Sequence, residues 1–505
     1  MNRTPQKDWT VMIYMAGDNN LDNPNDRTSE AIKDLKLIKK IGSTERVSIL
    51  AQLDRAESKK TLRFYLKKGG DYLNDVEMTL GETNTGDPCE MVEFLDWGMR
   101  EHQARHYMVI LWGHGGGALD VDFIKGDDPP PSRLEQCRLR RQESRYGKEA
   151  QKLIEKEEMK NISTDDLFPH HKGLYDRLVF APSRFSLIAR DRAKLFGIDL
   201  PEDGSLDYLD NRELRFIFET IKNKHQRNID VLGMDSCLMS MVEIGFQLRG
   251  LVDYMVGSQD LVPKEGFPYD KILKQLTSAP ADITPKELSV AMVRHYINSF
   301  EAKYNPTLAV CDLTRFDGAN GDSLVGAIDN LAKTLLSFIA RKGAGAEKAR
   351  AVRAAILHAR GRAQYFDVGD YIDICHFCDL LETYWDRAGV KKEIAKMDRA
   401  DRITSDEIKS IKGACRQVTA HFGPDKFVVA SERKGNLVRN ANGLSIYFPI
   451  KGMDPTYRMT DFVKESAWQN FIDTFVKQVQ WLDFLQEFSH NSRTPFRLRI
   501  PTPLD

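Results

Sequence analysis

Two residues with chemically active side chains each follow a run of apolar residues. His114 comes shortly after residues 107–112 and is followed by three glycines, and Cys237 comes shortly after residues 229–234. A thiolate is a nucleophile, and a nearby imidazole can lower the thiol pKa, orient the attack and protonate a leaving amine. If the two side chains meet, the sequence predicts nucleophilic catalysis by a cysteine.

The elements around these residues indicate how they are brought together. Continuously apolar runs are typical of strands buried on both faces, and here they alternate with amphipathic stretches. Predicted strands cover residues 9–15, 47–53, 62–66, 107–112, 229–234 and 252–257, and predicted helices cover residues 29–40, 89–100 and 207–224. This alternation predicts an α/β fold with a mostly parallel sheet and helices on both faces. Ligands bind outside the carboxyl ends of such strands, so His114 and Cys237 are expected at one place.

The backbone near both residues is also suited to catalysis. The glycines after His114 allow close approach of backbone N–H groups, and those of Gly115 and Cys237 are candidates for an oxyanion hole. The alternative is that Cys237 is a small core residue, which is the commoner role of a buried cysteine. The occurrence of both residues at matching strand ends favours the catalytic interpretation.

The segments that carry these residues resemble the clostripain family of cysteine peptidases. The similarity covers most of the chain and includes WTVMIYMAGDNNLD at 9–22, WGHGGG at 112–117, DSCLMS at 235–240, GSQD at 257–260 with GFPY at 266–269, and GLSIYFP at 443–449. The resemblance implies a caspase-like sheet with the catalytic pair on two adjacent strand ends. It departs from the family in one respect, because the separation of 123 residues from His114 to Cys237 (237 minus 114) is long for it.

The resemblance also implies roles for individual residues. His114 matches the general acid/base, Cys237 the nucleophile, and Asp235 the acidic residue that gives such enzymes an S1 pocket for Arg or Lys. A carboxylate pairs with a guanidinium in a geometry that neutral side chains do not match. Asp18 and Asp260, in loops after other strands, are further candidates for the lining of this pocket. The alternative for Asp235 is a helix N-cap, a common role for Asp.

The rest of the chain predicts two further regions. An insertion at about residues 121–206 is rich in charge, with nineteen Asp, Glu, Lys or Arg among residues 121–160. Beyond residue 320 the pattern is mainly helical, with predicted helices at 323–339, 347–364, 371–384, 405–421 and 468–488 and strand-like runs at 426–430 and 443–448. We therefore predict a catalytic domain over residues 1–320 that contains the insertion, and a helical C-terminal region, 321–505, packed on it.

The insertion also predicts a zymogen. Long loops of this kind are preferred sites of proteolysis, and the family is cleaved in the same interval between the histidine and the cysteine. Basic residues that suit the predicted specificity are the candidates for the cleaved position: Arg138, Arg140, Arg141, Arg145, Lys148 and Lys160. Cleavage by the enzyme itself or by an upstream protease in a cascade is expected to activate it. The alternative is that the charged run is a solvated helix.

Composition limits the partners and the compartment. Lys and Arg number 73 and Asp and Glu 74, so no overall field favours nucleic acid or an anionic membrane. The family resemblance implies protein or peptide partners with a basic P1 residue. Seven scattered cysteines and the absence of a signal-like start favour the cytoplasm, although relatives are frequently exported. The chemistry requires no metal or other cofactor. A calcium effect is implied by the family resemblance alone, since the sequence contains no EF-hand loop.

Two other functions remain open at this point. A caspase-like scaffold or peptide-binding module that has lost catalysis would keep the same fold. The His114-Gly-Gly-Gly segment also resembles the oxyanion loop of lipases and esterases, but a serine esterase of that kind needs a G-x-S-x-G elbow, which the sequence lacks.

Overall fold

A computed structural model of the chain describes residues 7–17, 21–22, 29–55, 60–81, 83–118, 209, 211–316, 323–341, 345–450, 452–454, 457–458 and 460–491. The strands in these residues are β1 (Lys7–Gly17), β2 (Val47–Arg55), β3 (Thr61–Tyr65), β4 (Val76–Thr79), β5 (Ala104–Trp112), β6 (Ile229–Asp235), β7 (Val252–Gly257), β8 (Thr307–Asp312), β9 (Tyr371–Asp373), β10 (Val428–Arg433) and β11 (Ser445–Tyr447). The described helices are α1 (Glu30–Lys39), α2 (Pro88–Glu101), α3 (Asn211–His225), α4 (Val242–Leu248), α5 (Tyr269–Ser278), α6 (Pro285–Ser299), α7 (Leu324–Ile339), α8 (Ala346–Arg362), α9 (Ile374–Tyr384), α10 (Ala388–Lys396), α11 (Ser405–Thr419), α12 (Asp461–Glu465) and α13 (Trp468–Asn491).

The central sheet of the described residues has nine strands in the order β10-β8-β7-β6-β5-β1-β2-β3-β4. Its five middle strands, from β7 to β2, are parallel to one another, and the outer strands β3, β4, β8 and β10 pair with their neighbours in antiparallel fashion. The mostly parallel α/β sheet predicted from the alternation of strands and helices is confirmed.

The middle strands are buried on both faces, which explains their unbroken apolar sequences. Along β1, Trp9 and Val11 pack into one core and Met12 and Tyr14 into the other, as the alternation of side chains along a strand requires. Helices α1, α5 and α6 cover the first core, and α2, α3 and α4 cover the second. The sheet is thus fixed in a three-layer arrangement whose strand ends project between the helices.

Capping residues define where several helices begin. The Ser29 side chain accepts from the N–H of Ile32 at the start of α1, and Thr284 forms a capping box with Glu287 at the start of α6. Asp373 caps α9 by accepting from the N–H of His376. For this reason α9 begins at Ile374, and the predicted helix over 371–384 was wrong for its first three residues, which form β9.

The C-terminal region contributes to the central sheet as well as packing on it. Strand β10 pairs with β8 at one edge of the sheet, and β9 pairs with β11 in a separate two-stranded ribbon. Helices α7, α8, α9, α11 and α13 pack against one another and extend the core that α2, α3 and α4 cover. The polypeptide beyond residue 320 is therefore continuous with the core of the sheet.

None of the described helices combines the length and the apolar character that a bilayer crossing requires. Cys89 is disulfide-bonded, a bond that the scattered cysteine pattern did not predict. The thiols of Cys237, Cys311, Cys375, Cys378 and Cys415 are free and buried.

Candidate active site

The strand register brings His114 and Cys237 to the same edge of the sheet. Trp112 of β5 pairs with Asp235 of β6, and His114 and Cys237 each lie two residues beyond this pair. The N–H of Gly113 donates to the Asp235 carbonyl oxygen at 3.4 Å, so the two chains stay together past the end of β5. His114 and Cys237 are both buried, with 3 % and 8 % of their surface exposed.

The two loops touch at Gly115. A Cβ atom built on this glycine would lie 2.3 Å from the carbonyl oxygen and 3.0 Å from the nitrogen of Cys237. Only glycine allows this approach, because real Cβ atoms do not come so close to a backbone oxygen. The amides of Gly115 and Cys237 therefore belong to segments in direct contact, while their oxyanion role stays a prediction.

The thiol of Cys237 is held in its neutral form. Burial, helped by the carboxylates of Asp260, Asp367 and Asp235 and opposed by the Val262 N–H, raises its pKa to about 12. That N–H donates to Sγ at 3.3 Å. Since the thiolate is the nucleophile, attack requires a base and a change in the charge around the sulfur.

A tight turn follows Cys237. Leu238 has φ 62°, in the left-handed region that few residues other than glycine occupy. Its N–H donates to the Asp260 carbonyl oxygen at 3.2 Å. Strained backbone of this kind is concentrated at functional sites, where the surrounding structure holds it in place.

Asp235 lies two residues before Cys237 and is buried. Its Oδ2 accepts from the Phe267 N–H at 3.0 Å and from the Tyr269 hydroxyl at 2.9 Å, both from the GFPY segment. Gly266 of that segment has φ 58°, and a Cβ there would lie 2.7 Å from Oδ2. Burial raises the pKa of Asp235 to about 6. The carboxylate caps no following helix, because the next helix begins at Val242.

Two polar atoms at this point have no partner in the described residues. Asp235 Oδ1 and Ser236 Oγ are buried, and no hydrogen bond reaches either atom from the part of the chain that the structure describes. Buried polar groups are usually paired, so these two atoms are open to a hydrogen bond from a bound molecule. The S1 role of Asp235 stays a prediction, and its open oxygen is compatible with that role.

A second acidic group comes from the C-terminal region. The N–H of Asp367 donates to Asp260 Oδ1 at 3.1 Å, and the charges of both carboxylates act on the Cys237 thiol. The sequence analysis named Asp260 but missed Asp367, because no local motif connects residue 367 with the strand ends. Asp18 and the candidate cleavage residues Arg138, Arg140, Arg141, Arg145, Lys148 and Lys160 lie outside the described residues.

A small cavity opens beside His114. Its lining is mainly apolar and includes Tyr14, Ala16, Leu111, Trp112 and Ser236. No cluster of three or more His, Cys, Asp or Glu side chains suited to a metal ion occurs in the residues that the structure covers.

Sequence comparisons show which known proteins the chain is similar to. A sequence profile described as the Clostripain family matches residues 13–125 and 193–488, and the unmatched interval falls within the charged insertion. Clostripain of Hathewaya histolytica is 23 % identical over 523 residues, which cover 94 % of this chain and 81 % of that protein.

Solved structures show the same fold. A secreted C11 cysteine protease from Bacteroides thetaiotaomicron, in complex with an irreversible peptide inhibitor, superposes with a TM-score of 0.51 at 14 % identity, covering 92 % of this chain and 99 % of that one. A second structure of a secreted C11 cysteine protease from the same organism, called iotapain, gives a TM-score of 0.50 at 12 % identity with the same coverage.

Proposed function

Because the chain belongs to the clostripain family of cysteine proteases, we propose that it is a cysteine endopeptidase that hydrolyses the peptide bond after Arg, and less readily after Lys. The observation that carries the proposal is the register of β5 and β6, which places His114 and Cys237 two residues beyond one paired position. A buried acidic residue, Asp235, occupies that position itself.

The proposed reaction uses the two side chains and backbone amides. His114 takes the proton from Cys237 Sγ as the sulfur attacks the carbonyl carbon, and the resulting oxyanion is bound by the N–H groups of Gly115 and Cys237. The C–N bond then breaks, and the amine leaves with the proton from His114. Water, deprotonated by His114, hydrolyses the thioester and restores the thiol. These steps need no cofactor.

The proposed specificity follows from the charges around the sulfur. A guanidinium that enters beside Asp235, Asp260 and Asp367 offsets the negative charge that these groups direct at Cys237, and so lowers the thiol pKa when the correct substrate binds. Asp235 Oδ1 offers a free acceptor for it. Arg is preferred to Lys because its planar fork can bond two acceptors at once.

We further propose that the chain is made as a zymogen. The support is the sequence between His114 and Cys237, which contains basic residues that fit the proposed P1 preference, such as Arg138 and Arg145. Cleavage there, by the enzyme itself or by an upstream protease in a signalling, defence or cell-death cascade, would activate it.

The fragment pattern of the purified protein tests the zymogen proposal. Wild type should contain two fragments and Cys237→Ala a single uncut chain. If Cys237→Ala is cut equally, the activator acts in trans, and if a variant with these basic residues changed to Gln is fully active, the zymogen proposal fails.

Covalent labelling tests the peptidase proposal. A chloromethyl ketone with an arginine side chain should label wild type and Cys311→Ala, but not Cys237→Ala, and His114→Ala should react far more slowly. Cys311 is a matched control because it is also a buried free thiol whose pKa burial raises to about 12. Asp235→Asn should lose the preference for this reagent over one with a neutral side chain.

Labelling and ester hydrolysis separate the competing functions. A silent scaffold or peptide-binding module would leave Cys237 unlabelled while the protein remained folded. A serine esterase would keep its ester hydrolysis in Cys237→Ala and lose it to phenylmethylsulfonyl fluoride.

A further inference from the structure

The ribbon of β9 and β11 lies against the catalytic end of the central sheet. Its strands are antiparallel, with Tyr371 opposite Tyr447 and Asp373 opposite Ser445. Both strands come from the C-terminal region, and all four residues are buried. The contacts of this ribbon show that it touches each of the two catalytic loops.

One end of the ribbon holds the loop of the nucleophile. The N–H of Ser445 donates to the Ser240 carbonyl oxygen at 2.9 Å, and the Ser240 hydroxyl donates to the Gly443 carbonyl oxygen at 2.6 Å. Ser240 lies three residues after Cys237. The ribbon therefore fixes the chain that leaves the nucleophile.

The other end holds the loop of the histidine. The Tyr371 hydroxyl donates to the Gly116 carbonyl oxygen at 2.8 Å. A Cβ atom on Gly117 would lie 2.6 Å from Cε2 of the Tyr371 ring, so this glycine packs directly against the ring. Three successive glycines follow His114 and populate many backbone conformations, which means that their geometry depends on outside contacts such as this one.

A buried glutamine fixes the position of the ribbon. Gln259, which follows β7, accepts at Oε1 from the Gly443 N–H at 2.6 Å. Its Nε2 donates to Asp373 Oδ2 at 3.1 Å and to Ser445 Oγ at 3.2 Å. Both strands of the ribbon are thus tied to the sheet, and Tyr371 has a defined place from which to bond Gly116.

We infer that Tyr371 is a positioning residue, whose hydroxyl holds the Gly116 carbonyl and thereby sets the orientation of His114 toward Cys237. This inference rests on the proposed cysteine peptidase function. In this role Tyr371 acts through the glycine loop, by its bond to Gly116, and takes no part in the bond-making steps. The ribbon couples the two loops because Tyr371 and Ser445 belong to one paired unit.

Tyr371→Phe tests this role, with Tyr447→Phe as the matched control. Tyr447 is the register partner of Tyr371 and equally buried, but its hydroxyl accepts from the Asp454 N–H, in the segment that follows β11. On an arginine peptide, we expect Tyr371→Phe to lower kcat by about 10- to 100-fold, the range that a displacement of about 1 Å produces, with KM unchanged. Tyr447→Phe should keep the wild-type kcat.

The pH dependence of Cys237 alkylation by iodoacetamide gives a readout that a purely structural role would not move. In Tyr371→Phe the midpoint of this profile should shift from the wild-type value, because the imidazole no longer faces the thiol, whereas Tyr447→Phe should follow wild type. The melting temperature of each variant checks that it is folded.

Three outcomes would overturn the inference: a wild-type kcat and alkylation profile in Tyr371→Phe, an equal loss of kcat in both variants, or a loss that tracks the melting temperature. Failure of the peptidase proposal is distinct from these, since wild type itself would then cleave no arginine peptide and resist the arginine chloromethyl ketone. The alkylation profile still compares the two tyrosine variants in that case.

Discussion

At the scale of single residues, the contact between Gly115 and the Cys237 backbone leaves no room for a side chain. We expect Gly115→Ala to lower kcat/KM on an arginine peptide by about 100-fold or more, because a built Cβ lies 2.3 Å from a carbonyl oxygen and the loops must separate. Steady-state kinetics with the purified variant measure this loss.

Gly413→Ala is the matched control. Gly413 lies inside α11, and a Cβ there would meet no atom within 4 Å. This change should leave kcat/KM unaltered and stabilise the protein by about 0.5–1 kcal/mol, the difference in helix propensity. Wild-type activity in Gly115→Ala would show that the two loops tolerate separation.

The pKa of Asp235 predicts how arginine recognition depends on pH. Burial raises this pKa from its usual range to about 6, so the carboxylate is ionised above pH 6 and neutral below it. The rate of labelling by the arginine chloromethyl ketone should therefore fall about tenfold for each pH unit below about 6. The labelling rate of a reagent with a norleucine side chain should not show this fall below pH 6. Identical pH profiles for the two reagents would show that Asp235 does not bind the arginine side chain.

The residues that surround Cys237 also show what a sequence can reveal about a site. The placement of His114 and Cys237 beyond neighbouring strand ends was predictable because each follows a buried strand, and strand ends are encoded locally. Asp367 and Tyr371 were not, since they reach the site through contacts across long separations: 107 residues between Asp260 and Asp367, and 255 between Gly116 and Tyr371. No periodicity or short motif carries such information.

At the scale of elements, helix α4 contains a carboxylate buried against the C-terminal region. Glu243 Oε1 accepts from the Tyr447 N–H at 3.0 Å and the Tyr457 hydroxyl at 2.6 Å, and burial raises its pKa to about 7. A raised carboxyl pKa favours the folded state at low pH, and this contribution is lost as pH rises from about 4.5 through 7. Glu243→Gln does not titrate and keeps this contribution. Its free energy of unfolding relative to wild type, measured with urea, should therefore be about 2 kcal/mol higher at pH 8 than at pH 5.

Glu407→Gln should behave in the opposite way. Although burial acts against it, hydrogen bonds from Thr404, Lys348 and Arg341 hold the pKa of Glu407 at about 2. A lowered carboxyl pKa stabilises the folded state at pH values above the pKa of the unfolded chain. Glu407→Gln should therefore be less stable than wild type at pH 8. If the two variants respond to pH alike, the Glu243 carboxylate is not the source of the effect.

Elements differ in how far their sequences determine them. The strands β5, β6 and β7 were predicted within a few residues because both their faces are buried, which leaves an unbroken apolar run. Strand β9 was predicted as helix, because Tyr371, Ile372 and Asp373 continue the apolar pattern of α9 and their pairing partner lies in β11. Pairing between distant segments decided their structure.

At the scale of the whole molecule, the C-terminal region completes the sheet and contacts the loops that carry His114 and Cys237. A fragment of residues 1–320 would lack β10 and expose the edge of β8, and it would leave Ser240 and Gln259 without their buried partners. We expect this fragment to be insoluble when expressed alone, and to be recovered at least in part when residues 321–505 are expressed with it. Solubility and circular dichroism measure the outcome, and a soluble, folded fragment would show that the two regions are independent.

The bond between Ser240 and Gly443 also has a consequence for the order of events during translation. The two residues are 203 positions apart in the chain. At roughly 5–20 residues per second, a ribosome needs about 10 to 40 s to travel from one to the other. Throughout that interval the nascent chain already contains both His114 and Cys237 but not the ribbon that holds their loops. Synthesis itself thus delays the assembly of the proposed site until the ribosome has passed Gly443 and the ribbon strands.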